Sequence, residues 1–406
     1  MTIVVNRICL CSVLLIVIIC VPTVADVTSA LNKTSGEPGY GAGYSVQQTS
    51  DGGYIITGTK YSDEPKLLSQ MIWLIKTAPN GDQVWNRIFG GSHNDVGYSV
   101  QQTSDGYIIA GSTESFGAGS LDLWLIKTDV SGNEVWNRTF GGLRGDWGRS
   151  IQQTNDGGYV VTGSTYSYDT AHQSQMVWLI KTDANGDKVW DRIFGGPSDD
   201  WGNCVQQTRD GGYIIIGATK SYGARGNSAL WLIKTDANGN EVWDRTFGGP
   251  GSTVGYSVQQ TYDGGYIITG SKVPVAGITG EIWVIKTDAN GTEVWDKSFG
   301  GSDDDVGKSV QQTRDGGYII TGSKTSPSGG SQSVWLIKID PNGNEAWDRT
   351  FGESGWNEGK SVEQTSDDGY IITGSTYPYG VGGKNSAIWL IKTDRDGNKV
   401  WDKTIS

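Results

Sequence analysis

The sequence predicts an all-β protein, a seven-bladed β-propeller of four-stranded antiparallel blades spanning residues 45–406. Three observations carry that expectation. The motif Ser45-Val46-Gln47-Gln48-Thr49 returns at Ser99, Ser150, Cys204, Ser257, Ser309 and Ser361, at offsets of 54, 51, 54, 53, 52 and 52 residues. A period that regular marks a repeat architecture. Each repeat holds four short β-prone runs separated by turn residues. Four antiparallel strands cannot bury both faces alone, and radial stacking of such sheets into a closed ring solves that problem while leaving only short edges.

The first run of each repeat is the Ser-Val-Gln-Gln-Thr stretch. Its paired glutamines are expected to bond neighbouring backbones near the axis, since buried amides must be satisfied. An Asp-Gly-Gly turn follows, as at Asp51-Gly52-Gly53, Asp156-Gly157-Gly158 and Asp315-Gly316-Gly317. Asp-Gly between β-prone runs is a hairpin signal, because the tight turn needs positive φ and glycine adopts it without steric cost. Repeat two has one glycine fewer, and repeat seven reads Asp367-Asp368-Gly369. The second run, Tyr54-Ile55-Ile56-Thr57-Gly58, is nearly continuous in apolar character, which suits a strand covered on both faces. The third run opens on tryptophan, at Trp73, Trp124, Trp178, Trp231, Trp283, Trp335 and Trp389, and carries a recurrent lysine, Lys76 in the first copy. A turn such as Asp183-Ala184-Asn185-Gly186 leads to the fourth run, Val189-Trp190-Asp191-Arg192, which ends in Phe194-Gly195-Gly196. Seven further tryptophans, from Trp85 to Trp401, occupy the fourth runs. Of 17 in all, only Trp147, Trp201 and Trp356 fall outside the pattern.

These motifs resemble those of secreted prokaryotic tandem-repeat β-propellers with Asp-Gly-Gly-Tyr-Ile-Ile and Trp-Leu-Ile-Lys-Thr-Asp signatures. The third and fourth runs are distantly similar to the tryptophan-docking repeats of quinoprotein-type propellers. The resemblance covers nearly all of the chain after its N-terminal segment. It implies the fold and leaves the activity open, because propellers host unrelated functions.

Residues 1–25 read as a signal peptide. Arg7 is the lone charge, Ile8 to Val21 is apolar, and Thr23-Val24-Ala25 offers small residues before Asp26. An uncleaved anchor is the alternative. Residues 26–44 form an N-terminal segment in which Leu31-Asn32-Lys33-Thr34 resembles a worn fourth strand. Either terminus could then complete the last blade, and the C-terminal one, which keeps Trp401, is preferred. Three of the four cysteines lie in the signal, so Cys204 has no disulfide partner within the mature chain. Removing Arg7 with the signal takes the formal charge from −12 to −13. That balance argues against nucleic acid and anionic membranes as partners, and nothing beyond the signal is expected to contact a membrane.

No cofactor is expected. With two histidines, His93 and His172, neither recurrent, a His-rich zinc site or a Ser-His-Asp triad is disfavoured. The Asp-x-Asn-Gly turns carry oxygens suited to a hard cation, but Asp and Asn favour such turns without one, and no metal site is expected. Asp95, Asp146, Asp200 and Asp305 precede first strands and are expected to bond backbone amides at blade junctions, the alternative being that they ring a channel mouth. What differs between repeats is where a ligand could be read. The loops leading into the first strand and those joining strands two and three share one face and vary. The candidate ligand-binding residues are therefore Trp147, Tyr166, Tyr168, His172, Asp200, Trp201, Tyr222 and Trp356, as aromatic platforms with nearby acids. The competing reading has these tryptophans merely filling the space that Val96, Val254 and Val306 fill elsewhere. The expected function is that of an exported, non-enzymatic recognition or scaffold propeller for a surface glycan or protein. The alternative is a polysaccharide-active enzyme on the same face, a glycoside hydrolase such as an endoglucanase. It would need two carboxylates about 5–10 Å apart, and the Asp199-Asp200 pair or the Asp303-Asp304-Asp305 run could contribute.

Overall fold

The computed structural model describes residues 41–61, 69–168, 173–274, 279–301, 303–327, 330–352, 354–377 and 386–406. Among them, 28 strands form seven consecutive four-stranded antiparallel meanders. In the first sheet the strands are Gly41–Gln48, Tyr54–Tyr61, Gln70–Thr77 and Gln83–Phe89, paired in chain order. In the last they are Trp356–Gln364, Tyr370–Tyr377, Ala387–Thr393 and Lys399–Ile405. The C-terminal strand is thus the outer strand of the last sheet, and each sheet is one continuous stretch of chain. Leu31-Asn32-Lys33-Thr34, the other candidate for that place, lies outside the described residues, as does the signal segment.

The second and third strands are buried along both faces, with Ile55, Ile56, Leu74 and Ile75 all fully covered. Strand alternation sends consecutive residues to opposite neighbours. Ile55 packs with Val100, Tyr107 and Trp124 of the second sheet, whereas Ile56 packs with Ile371, Ile388 and Leu390 of the seventh. Seven such clusters fill seven junctions, so the first sheet meets the last through the same kind of core as any other pair. The outer-strand tryptophans repeat the point. Each lies edge-on to the turn tyrosine of the next sheet, Trp85 to Tyr107 at 5.8 Å, and Trp401 closes the series on Tyr54 at 5.9 Å.

First strands face the axis. Val100, Gln101, Ile151, Gln152, Val205 and Gln206 line one central channel with their counterparts from the other sheets. Each leading glutamine accepts the backbone N–H of the next sheet's second glutamine, as Gln47 does from Gln102 at 2.6 Å and Gln101 from Gln153 at 2.6 Å. The seventh bond, from Gln48 N–H to Glu363 Oε2 at 2.5 Å, closes the ring with a carboxylate where six repeats have an amide. The recurrent lysines are structural. All seven are buried, with Nζ 2.8–3.1 Å from the Asp of their own sheet's Asp-Gly turn. In the Asp-x-Asn-Gly turns the Asp carboxylate accepts backbone N–H groups, as Asp236 does from Asn238 and Asn240 at 2.8 Å each.

Two boundaries differ from expectation. The first strand begins at Gly41 rather than at Ser45, where the recurrent motif starts, because pairing with the second strand continues past a β-bulge to Gly41. Pairing runs Gly43 to Gly58 and then Ser45 to Thr57, leaving Tyr44 without a partner. Trp147 and Trp201 lie in inner strands that start at Asp146 and Asp200, not in the loops before them.

Candidate functional site

The bulge recurs at the same place in all seven inner strands. An extra residue in one strand re-aims its own side chain, and such bulges are frequent beside functional sites. The flanking glycine has no alternative at this position. A Cβ on Gly43 would come within 2.5 Å of Thr373 Oγ1 in the neighbouring sheet. The following serine bonds across the junction, as Ser45 Oγ does to Val100 N–H at 3.3 Å. Cys204 takes that place in the fourth sheet, with its Sγ 3.8 Å from Val258 O. Burial pushes its thiol pKa up, which makes it a poor nucleophile.

The sequence-predicted residues divide between three settings. Trp147 and Tyr166 come together, edge to face at 5.8 Å, on the wall of a cleft of about 650 Å³ shared with Tyr61, Tyr98, Glu114 and Leu121. Trp201 is the equivalent residue one sheet on, half-buried, with Lys220 Nζ 5.8 Å from its ring centre. These positions correspond to Val96 and Val254. The tryptophans fill that space and also present an edge to solvent.

Tyr168 and Tyr222 sit farther from the axis. Each covers the third-strand tryptophan of its own sheet, at 5.2 Å from Trp178 and 5.4 Å from Trp231. Phe116 does the same on Trp124 at 5.2 Å. A repeated Ser-aromatic pair, at Ser115-Phe116, Ser167-Tyr168 and Ser221-Tyr222, signals this shared loop geometry.

Asp200 is fully buried. Its carboxylate accepts from Gly196 N–H at 2.8 Å and from Ser221 Oγ at 2.7 Å, so it orders the loops and presents no oxygen to a ligand. Asp95 and Asp146 bond the corresponding glycine and serine. Trp356 is 48% exposed at the start of its strand, bridged to Gln332 of the sixth sheet and apart from the other tryptophans in the series. His172 lies outside the described residues.

What the sequence reading missed is the bulge ring itself. Its signal is the most variable position inside a recurrent Gly-x-Ser-Val run, which departs elsewhere only at Ile151 and Cys204. Tyr44, Tyr98 and Tyr256 occupy it in three sheets, Arg149, Lys308 and Lys360 in three more, and Asn203 in the fourth. Burial raises the pKa of the Tyr44 and Tyr98 hydroxyls, which keeps both rings neutral; the hydrogen bond with Thr59 partly offsets the shift at Tyr44, and the Arg149 guanidinium does so at Tyr98.

No protein family model matches the chain, and no curated protein matches its sequence. Solved structures do match its fold. The β-propeller domain of the trilobed protease from Pyrococcus furiosus, which has an open velcro topology, aligns with a TM-score of 0.52 at 10% identity, over 92% of this chain and 97% of that one. The Pan2 WD40 domain of Neurospora crassa aligns with a TM-score of 0.51 at 10% identity, over 82% and 86%. YCF48 bound to a D1 peptide aligns with a TM-score of 0.50 at 11% identity, over 88% and 93%. At these identities the likeness concerns architecture, and it makes the chain a β-propeller.

Proposed function

We propose that this protein is an exported, seven-bladed β-propeller that recognises a polypeptide or glycan through its variable-loop face, without catalysing a reaction. One observation carries the reading. The recurrent charged residues are spent on the scaffold, while the loop face of blades one to three gathers Tyr61, Tyr98, Trp147 and Tyr166 around a cleft of about 650 Å³. Aromatic side chains there offer large contact area at low entropy cost, and a few such anchors dominate most interfaces. YCF48, a structural neighbour, holds a D1 peptide, which supports a polypeptide ligand for this fold. Export rests on the N-terminal segment and the lone mature cysteine. Intact-mass analysis of the protein from its host should find a chain beginning near Asp26, and a full-length cytoplasmic product would refute export.

The hydrolase reading draws less support. Asp199 is engaged with Lys220 at 3.4 Å, Asp200 is buried, and Asp304 accepts the Gly280 N–H at 2.7 Å. A combined screen separates the classes: peptide and glycan arrays for binding, and reducing-sugar release for hydrolysis. Trp147→Val and Trp201→Val, which install the residue other blades carry, should leave the melting temperature within a few degrees. They should weaken binding by about 1–3 kcal/mol. Early unfolding with binding intact would instead assign both tryptophans to the scaffold.

A further inference from the structure

The bulge residues meet one another around the loop-face end of the axial channel. Lys360 Nζ lies 4.2 Å from the ring centre of Tyr44, Tyr44 meets Tyr98 edge to face at 5.2 Å, and the Arg149 guanidinium lies 5.0 Å from the Tyr98 ring. On the other side Lys308 Nζ lies 4.0 Å from the Tyr256 ring, and Asn203 Nδ2 donates to Gly255 O at 2.8 Å. Glu358 spans the gap between the two lysines, 3.6 Å from Lys308 and 3.5 Å from Lys360. Three cations and one carboxylate thus ring the axis of a protein whose formal charge is −12. Arg149 is exposed and has no carboxylate partner among the described residues.

We propose that this ring binds carboxylates, and that its ligand is an acidic polypeptide segment docking over the axis. Three observations point there. The cations stand at a strand position that the bulge re-aims, the residue that varies most in chemistry within a run whose glycine recurs in all seven sheets and whose serine and valine each recur in six. Glu358 holds Lys308 and Lys360 as an incoming carboxylate would, and its side chain, 28% exposed, is open to exchange from the channel. Each tyrosine ring already has a cation over it. A uronic-acid sugar would have to displace that cation in order to stack, whereas a peptide carboxylate bonds the cation where it stands. The inference rests on the reading of the loop face as the recognition face, and it names the ligand class.

The test measures binding of a fluorescent oligo-glutamate peptide to the full mature chain, with oligogalacturonate and a neutral peptide as parallel probes. Oligo-glutamate should bind best, and its affinity should fall with ionic strength, chiefly through the exposed Arg149, since the partly covered lysines are screened less. The triple variant Arg149→Asn, Lys308→Asn, Lys360→Asn should weaken it at least about tenfold. Asn203 shows that the bulge accommodates asparagine, and a melting temperature within a few degrees of the parent confirms the fold. Should that variant fail to fold, Glu358→Gln, which removes the internal competitor, should tighten oligo-glutamate severalfold. Equal binding of the neutral peptide, preference for oligogalacturonate, an unaffected triple variant, or no gain in Glu358→Gln would each overturn the proposal. A neutral ligand that depends on Trp147 alone would overturn it while leaving the recognition reading intact.

Discussion

In the ring of inner-strand amides, Glu363 takes the place of a seventh glutamine, and burial pushes its carboxyl up to about 7, partly offset by the Gln48 N–H it accepts. An exposed glutamate titrates near about 4.3. Between the two values the unfolded chain binds fewer protons than the folded one. The contribution of this group to stability is therefore full below about pH 4 and is lost as pH rises through about 7. Glu363→Gln supplies an amide oxygen in the same place. It should stabilise the protein at pH 8 by on the order of 2–3 kcal/mol and do little at pH 4.5, read from denaturant midpoints at the two values. An equal effect at both would show that the carboxylate is ionised throughout. The bonding of glutamines to neighbouring backbones was legible in the sequence, because their recurrence in an apolar strand demanded partners. The cost of the one exception was not, since it depends on how deeply the ring buries that side chain.

Among the elements, the Asp-Gly-Gly hairpin uses its two glycines for different reasons. Gly157 sits at φ 83° with open space where a Cβ would point, whereas Gly158 has ordinary φ and lies where a Cβ would meet Thr182 O at 2.2 Å and Lys181 Nζ at 2.5 Å. The seventh repeat already tolerates a side chain at the first position, with Asp368 at φ 64°. Gly157→Ala should therefore cost only about 1 kcal/mol, the strain of a left-handed alanine. Gly158→Ala should cost about 2–3 kcal/mol, because it forces the strand or the buried lysine to move. Thermal melts of the two variants check the order, and a larger loss for Gly157→Ala would reverse the assignment. The turn itself was readable from Asp-Gly between β-prone runs. The second glycine was not, because its reason is the approach of the third strand. The bulges were hidden for a similar cause. A bulge shifts the alternation of one strand only against its partner, and a single strand shows no partner.

For the whole molecule, closure depends on seven equivalent junctions. Among the described residues no strand is exchanged between the ends, yet Val46, Tyr54 and Trp73 pack against Ile371, Ile388 and Leu390, Gln48 bonds Glu363, and Lys403 reaches Asp82 at 2.9 Å. Deleting one internal repeat, residues 146–199, removes a single sheet and leaves every other local interaction in place. A six-sheet chain must close at a different angle per sheet, so its first and last faces no longer match and its thermal midpoint should fall by about 10 °C or more, or the chain should associate. A cooperative monomer with an unchanged midpoint would mean that neighbour contacts alone stabilise the protein. The sequence by itself determined the repeat count, the order of four strands in each repeat, the second strand covered on both faces, and the glutamine bonds from sheet to sheet. Those features recur, and recurrence exposes whatever each copy needs for its own packing. Only the tertiary structure decided which variable residues converge. It brought Trp147 to Tyr166 but placed Tyr168 and Tyr222 over separate tryptophans, buried Asp200, and gathered Tyr44, Tyr98, Arg149, Lys308 and Lys360 from five sheets around one axis. The axial residues come from separate repeats of the chain, and only the rotation from one sheet to the next makes them neighbours.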